Sequence, residues 1–209
     1  MKINLHVNDL PYSVNPKGDI AIDTEAMGLN NLRDRLCIVQ ICDENGEIHL
    51  VQFKKNSDGK LDYSAPNLRK VILDKSRQKI FHYARFDVAI ICHYLKIEKI
   101  ENIFCTKIAS KLARTYTDHH GLRTLVGEIC KIDLKKEQQS SNWGADEISE
   151  EQKKYAANDV AYLHRLRDTL INMLADSERL SIAHEYFNFL QTITNLDLMG
   201  FNGSDLFNH

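Results

Sequence analysis

The chain has 209 residues, of which 43% are hydrophobic, a length and composition typical of one globular domain. Its 27 basic and 29 acidic side chains leave a net charge of -2, which excludes a protein that grips long nucleic acid through a strongly basic face. No apolar stretch approaches the length that spans a bilayer, so we expect a cytoplasmic protein with no membrane partner.

The first predicted elements are strands, because short runs of branched apolar residues alternate with turn residues. These runs lie at 19–23, 36–42 and 47–53. The polar stretch Asp43-Glu44-Asn45-Gly46 separates the last two runs and predicts a tight turn. The three runs therefore indicate an antiparallel meander.

After this meander the apolar period alternates between that of helices and that of strands. The predicted elements are a helix at 66–75, a strand at 78–82, a helix at 84–95, a strand at 101–104, and helices at 106–115 and 121–130. Ser149 and Gln152 have the spacing of a capping box, which predicts a helix running to about residue 174. This order favours an α/β fold with a mixed sheet covered by helices.

Two carboxylates stand at the end of the first predicted strand, in Asp23-Thr24-Glu25. Open sheets of this kind place their ligands at strand ends, and residues two apart can both turn toward one metal ion. Two acids separated by one residue are by themselves weak evidence for a metal site, because such pairs are common in exposed loops.

Two further acids occur inside apolar segments. Asp87 heads an apolar run, where it could also serve as the acidic partner of a helix N-terminus. Asp159 shares one predicted helical face with Tyr155, Leu163 and Leu166. A carboxylate on an apolar face is strongly disfavoured unless a positive group meets it, so both positions indicate a site.

Four converging carboxylates would repel one another and take up protons unless cations neutralised them. Two divalent ions balance the four negative charges, and oxygen ligands favour Mg²⁺ or Mn²⁺ over zinc. A pair of such ions about 3.5–4 Å apart is the arrangement used for in-line displacement at phosphorus. The acids therefore predict phosphodiester hydrolysis with two divalent metal ions as cofactors.

The same residues carry a family resemblance. Asp23-Thr24-Glu25, the segment from His82 to Asp87, and the segment from Tyr155 to Asp159 resemble, in order, the three motifs of the DEDD 3′-to-5′ exonucleases. The tyrosine four residues before the last acid is similar to the DEDDy branch and the ribonuclease D superfamily. The resemblance implies a ribonuclease H-like mixed sheet flanked by helices. Asn142 departs from the pattern, because ribonuclease D relatives carry Asp at this position before the Trp.

A narrower resemblance concerns substrate length. The segments 28–30, 33–37 and 113–118 resemble the nanoRNase C branch, whose members degrade dinucleotides and very short RNA. The resemblance implies a single catalytic domain over 1–209 with a core at about 19–175 and no appended HRDC domains. It also implies a homo-oligomer, with the octamer as the form, and hydrolysis of RNA dinucleotides to nucleoside 5′-monophosphates.

The resemblance also assigns roles to residues. It gives Asp23, Glu25 and Asp159 to one ion and Asp23 with Asp87 to the other, while Tyr155 orients or deprotonates the attacking water. Further candidates are residues that could contact substrate, although each also has an ordinary structural explanation as a core, loop or surface residue. They are Thr24, Leu29 as an apolar wedge between bases, His82, Arg114, His120, Gln139, Ser141 and Trp143.

Two other functions stay open at this level. A 3′-end trimming exonuclease would act equally well on longer RNA or DNA. A non-catalytic module that binds RNA ends would keep the fold without hydrolysis, although it would have no need to hold repelling carboxylates together.

Overall fold

The computed structural model describes residues 1–134 and 141–201. Within these ranges six strands form one mixed sheet in the order β1-β4-β3-β2-β5-β6. The strands are β1 (Lys2–Val7), β2 (Ile20–Ala26), β3 (Leu36–Asp43), β4 (Glu47–Gln52), β5 (Lys79–Phe81) and β6 (Ile103–Cys105). The meander β2-β3-β4 is antiparallel, whereas β1 pairs with β4, β5 with β2 and β6 with β5 in parallel. The predicted mixed α/β sheet is confirmed.

The helices alternate with the later strands as predicted. They are α1 (Pro66–Leu73), α2 (Ala84–Leu95), α3 (Thr106–Ala113), α4 (Leu122–Leu125) continuing into a π-helical turn (Val126–Cys130), α5 (Glu150–Ala161), α6 (Leu163–Asp176) and α7 (Leu180–Leu196) with a second π-helical turn (Asp197–Phe201). The single helix expected to run to about 174 is interrupted at Tyr162, where φ is -109° and ψ is -4°. Strand β1 and helix α7 were not predicted.

The capping box at the start of α5 is confirmed. Gln152 N donates to Ser149 Oγ at 3.2 Å, and Ser149 N donates to Gln152 Oε1 at 2.8 Å. The Gln152 amide also donates to Ser141 Oγ at 3.1 Å. One residue therefore fixes both the first turn of α5 and the segment that precedes it.

The sheet places two of the predicted motifs side by side. Strand β2 runs parallel to β5, so the carboxyl ends of both strands lie at the same edge. Asp23 and Glu25 stand at the end of β2, and the chain leaves β5 directly into α2, which carries Asp87. Every residue of the neighbouring strand β3 is buried, so the sheet edge that carries these motifs adjoins the hydrophobic core.

In the part of the chain that the structure describes, no helix combines the length and the apolar character needed to cross a bilayer.

Candidate active site

Three carboxylates meet where β2 ends beside α5. Oxygen atoms of Asp23, Glu25 and Asp159 all lie within 4.8 Å of one another. Asp23 and Glu25 are two apart on a strand and so project to one face of the sheet. Helix α5 packs on β2 and brings Asp159 to the same place. These are the three residues that the resemblance assigns to one ion.

Asp87 approaches the same strand through Thr24. Its Oδ1 accepts a hydrogen bond of 2.6 Å from Thr24 Oγ1, and both side chains are buried. Because Thr24 points away from the face that carries Asp23 and Glu25, α2 and α5 lie on opposite faces of the sheet. Asp87 is thus near the carboxylate cluster, but its oxygens are not part of the group within 4.8 Å.

The four acids resist ionisation together. Burial raises the pKa of Asp23 to about 7. Burial, and then the charges of Asp23, Asp159 and Asp87, raise the pKa of Glu25 to about 10. Burial and the neighbouring Asp23 charge also hold the pKa values of Asp87 and Asp159 well above their usual range. The cluster therefore has the charge and the oxygen donors that a hard divalent cation requires.

Tyr155 lies one helical turn before Asp159 on the inward side of α5. Burial, and then the carboxylates of Asp159, Glu25 and Asp23, raise the pKa of its phenol above the ordinary value. The hydroxyl therefore keeps its proton at neutral pH and can donate a hydrogen bond, but it is a poor base. The buried ring of Trp143 lies next to the Tyr155 ring, with 6.0 Å between the two ring centroids.

The carboxylates open into a cleft with a volume of about 910 Å³. Its walls combine the β2 end, the following loop, the start of α2, the start of α4 and one face of α5. The lining includes the predicted residues Asp23, Thr24, Glu25, Leu29, His82, Ser141, Trp143, Tyr155 and Asp159. The cleft thus unites carboxylates, apolar walls and a few polar side chains, as binding sites do.

The loop after β2 presents Leu29 to the cleft with 88% of its surface exposed. Asp34 shapes this loop by accepting a 2.9 Å hydrogen bond from Asn30 N and pairing with Arg33. Gly28 makes that contact feasible, because a Cβ at this position would lie 2.2 Å from Asp34 Oδ2. A leucine held on an ordered loop with its side chain in solvent contributes nothing to the core.

Two predicted substrate contacts lie elsewhere. Arg114 is 2% exposed and donates to Ser110, to the His119 carbonyl and to Glu128, so it braces the region behind the cleft. His120 Nδ1 is 2.8 Å from Ser110 Oγ in the same cluster. Neither residue lines the cleft. Gln139 lies outside the described residues.

Two residues that the sequence did not single out belong to the site. Arg123 lines the cleft at the start of α4 and pairs with Asp133 at 2.8 Å. Gln40, paired with Asp23 across β2 and β3, is buried, and its Nε2 lies 3.5 Å from Asp23 Oδ2. A polar residue in the otherwise apolar run of β3 was the available signal for Gln40.

Comparisons with known proteins agree with this geometry. The model of the 3′-5′ exonuclease family matches residues 3–175. The chain belongs to the 3′-5′ exonuclease family. The resemblance to DEDD exonucleases of the ribonuclease D superfamily is therefore confirmed at the level of the family, as is the expected exonuclease fold.

Within the 3′-5′ exonuclease family, the chain is similar over its whole length to solved structures of Brucella melitensis NrnC. The structure of NrnC bound to pGG is 46% identical, with a TM-score of 0.91 and coverage of 100% of this chain and 99% of NrnC. The structure of NrnC with bound Mg²⁺ is 45% identical, with a TM-score of 0.89 and full coverage of both chains.

A curated ribonuclease D from Jannaschia sp. is 27% identical over 180 residues, which are 85% of this chain and 44% of the relative. A curated DNA polymerase I from Aquifex aeolicus is 32% identical over 160 residues, which are 76% of this chain and 25% of the relative. The chain thus spans less than half the length of these curated relatives.

Proposed function

We propose that this protein is a metal-dependent 3′-to-5′ exoribonuclease that hydrolyses very short RNA, dinucleotides above all, to nucleoside 5′-monophosphates. The observation that carries the proposal is the carboxylate cluster of Asp23, Glu25 and Asp159, with Asp87 behind it, at the floor of a cleft that also holds Tyr155. The whole-length likeness to NrnC, solved with pGG and with Mg²⁺, supports both the substrate class and the metal.

The four acids would hold two divalent cations, Mg²⁺ or Mn²⁺, at the end of β2. When bound, such ions lower the pKa of water and neutralise charge that develops on a phosphodiester. Gln40, a neutral neighbour, would keep Asp23 oriented without adding another negative charge. Asp87 would give up its proton to bind a cation, and it could keep the bond from Thr24, because that bond uses only Oδ1 of the two carboxylate oxygens.

Tyr155 acts by position in this proposal. Because its phenol stays protonated, it orients the attacking water through a hydrogen bond and does not remove a proton from it. Leu29 places an apolar side chain in the cleft mouth, where it would pack between the two bases of a dinucleotide. Ser141 and Trp143 complete the wall on the α5 side.

The proposal includes the remaining expectations. In this proposal residues 1–209 form one catalytic domain, which works in the cytoplasm and assembles as a homo-oligomer, the octamer being the expected form. Light scattering of the purified protein measures the assembly directly. A mass equal to one chain of 24.1 kDa would contradict it.

Length and metal dependence are tested together with 5′-labelled RNAs from a dinucleotide to a twenty-mer, in Mg²⁺ or in a chelator. We expect rapid cleavage of the dinucleotide, slow cleavage of the longest RNA and no product without metal. Asp23→Asn is expected to abolish cleavage while the far-ultraviolet circular dichroism stays unchanged. Undiminished hydrolysis by that variant would overturn the two-metal mechanism.

The second candidate is a 3′-end trimming exonuclease for longer RNA or DNA. The similarity to ribonuclease D favours it. It predicts product ladders from the twenty-mer at a rate close to that of the dinucleotide. A non-catalytic RNA-end binder predicts retention of labelled RNA with no product in Mg²⁺ at any length.

A further inference from the structure

His82 lines the cleft, and one of its ring nitrogens is fixed from behind. Nδ1 lies 2.9 Å from Thr106 Oγ1, and Thr106 Oγ1 lies 3.1 Å from the carbonyl oxygen of Phe81. Thr106 is fully buried at the start of α3, next to the end of β5. Three polar atoms thus form a row that ends on a carbonyl oxygen.

The hydrogen bonds along this row run in one direction, from donor to acceptor. A carbonyl oxygen can only accept, and a hydroxyl has a single proton to donate. Thr106 gives that proton to Phe81, so its oxygen must accept from His82, and Nδ1 carries the hydrogen. A neutral imidazole has one N–H, which leaves Nε2 with a free lone pair. Burial, with a smaller effect of the Lys107 charge, lowers the pKa of His82 to about 3, so the ring is neutral near pH 7.

Nε2 is available to substrate. Within residues 1–134 and 141–201, His82 makes its hydrogen bond through Nδ1, and no protein group is bonded to Nε2. Because Nδ1 is turned toward Thr106, the opposite ring edge with Nε2 remains for the cleft. A lone pair on a neutral ring repels phosphate oxygens and attracts hydrogen-bond donors. The donors that every ribonucleotide offers, whatever its base, are the sugar hydroxyls.

We propose that His82 Nε2 accepts a hydrogen bond from a ribose hydroxyl of the substrate, and that Thr106 positions it by fixing the tautomer. This inference rests on the proposed function and deepens it, because it assigns a residue to sugar recognition. His82 is then a residue that binds substrate, whereas Thr106 is a positioning residue that substrate never touches.

The tautomer is tested without activity, by ¹⁵N NMR of the full chain labelled at histidine and without metal. The sequence has nine histidines, so the His82 signals are assigned by their loss in His82→Phe. We expect Nε2 to be unprotonated throughout the range from about pH 5 to about pH 8, where an unperturbed histidine titrates. A proton on Nε2, or titration of the ring within that range, would overturn the assignment.

Sugar recognition is tested with pGG and with analogues in which single 2′ or 3′ hydroxyls are replaced by hydrogen. For the wild type, removal of the contacted hydroxyl should raise KM about fivefold, as for one ordinary hydrogen bond. In His82→Phe, removal of the same hydroxyl should not raise KM any further. The position whose effect disappears identifies the hydroxyl, and a dependence on base identity instead would contradict the proposal.

Thr106→Val keeps the imidazole of His82 but removes the acceptor for Nδ1, so it should reduce the rise in KM caused by removal of the substrate hydroxyl. Thr106→Ser keeps the acceptor and should retain that rise. These two variants keep the test decisive if His82→Phe folds poorly. If all hydroxyl deletions affect wild type and variants equally while pGG hydrolysis in Mg²⁺ persists, His82 does not read the sugar, and the proposed function stands. If the wild type does not hydrolyse pGG at all, the proposed function fails, and this inference fails with it.

Discussion

Asp23→Asn should stabilise the metal-free protein although it abolishes activity. The oxygens of Asp23, Glu25 and Asp159 lie within 4.8 Å of one another. At an effective dielectric constant of about 20, two unit charges at that distance repel by about 3.5 kcal/mol. Protonation of Glu25, whose pKa is raised to about 10, relieves part of this repulsion, as does solvent in the cleft.

We therefore expect a gain of about 1–2 kcal/mol, which corresponds to a melting temperature about 3–6 °C higher for a domain of this size. The sign follows from the pKa of Asp23, which rises from 3.8 unfolded to about 7 folded. A raised carboxyl pKa means that the wild type loses stability as pH rises from about 4 to about 7. The difference between variant and wild type should grow over that range.

Differential scanning calorimetry in a chelator and in Mg²⁺ measures both states. In Mg²⁺ the wild type should gain stability by mass action, about 2.7 kcal/mol at a hundredfold excess over the dissociation constant, and Asp23→Asn should gain much less. Asp58→Asn, an equal change of charge in an exposed loop, is the matched control. A variant that melts below the wild type in chelator, or that Mg²⁺ stabilises equally, would refute the reasoning.

Leu29→Ala should leave the melting temperature unchanged, because the side chain is 88% exposed. It should raise KM for a dinucleotide about tenfold, as expected for loss of about 1.4 kcal/mol of apolar contact. An unchanged KM would exclude a base-packing role for Leu29. Tyr155→Phe should lower kcat by at least about a hundredfold with KM little changed, measured by single-turnover hydrolysis, and a near-normal kcat would show that the hydroxyl does not orient water. Arg85→Met removes two 2.7 Å hydrogen bonds to Asp197, which is 4% exposed, and leaves that buried carboxylate unpaired. The free energy of unfolding, measured in urea, should fall by about 2 kcal/mol, a moderate loss because Arg85 is partly exposed. Asp197→Asn should cost less, because it leaves no unpaired buried charge, and an equal loss in both variants would contradict that reason.

The sequence was sufficient for elements whose cause is local. The capping box at Ser149 and Gln152 forms within one turn, and the bounds of α2 follow from a continuous apolar run, so both were predicted correctly. Strand β1 escaped prediction because it is half exposed and pairs with β4, far along the chain. The break at Tyr162 also escaped, because the sequence around it contains no Gly or Pro to signal the end of a helix.

The sequence by itself determined which residue types the site contains and that its acids stand where a sheet edge and an inward helix face would place them. Only the tertiary structure decided which acids meet. It brings Asp159 against Asp23 and Glu25, leaves Asp87 joined to Thr24, and buries Arg114 behind the cleft. Periodicity reports the face on which a side chain lies, but distances between segments far apart in sequence depend on strand pairing and helix packing. The direction of the hydrogen bonds around His82 likewise exists only once Thr106 and Phe81 are folded together.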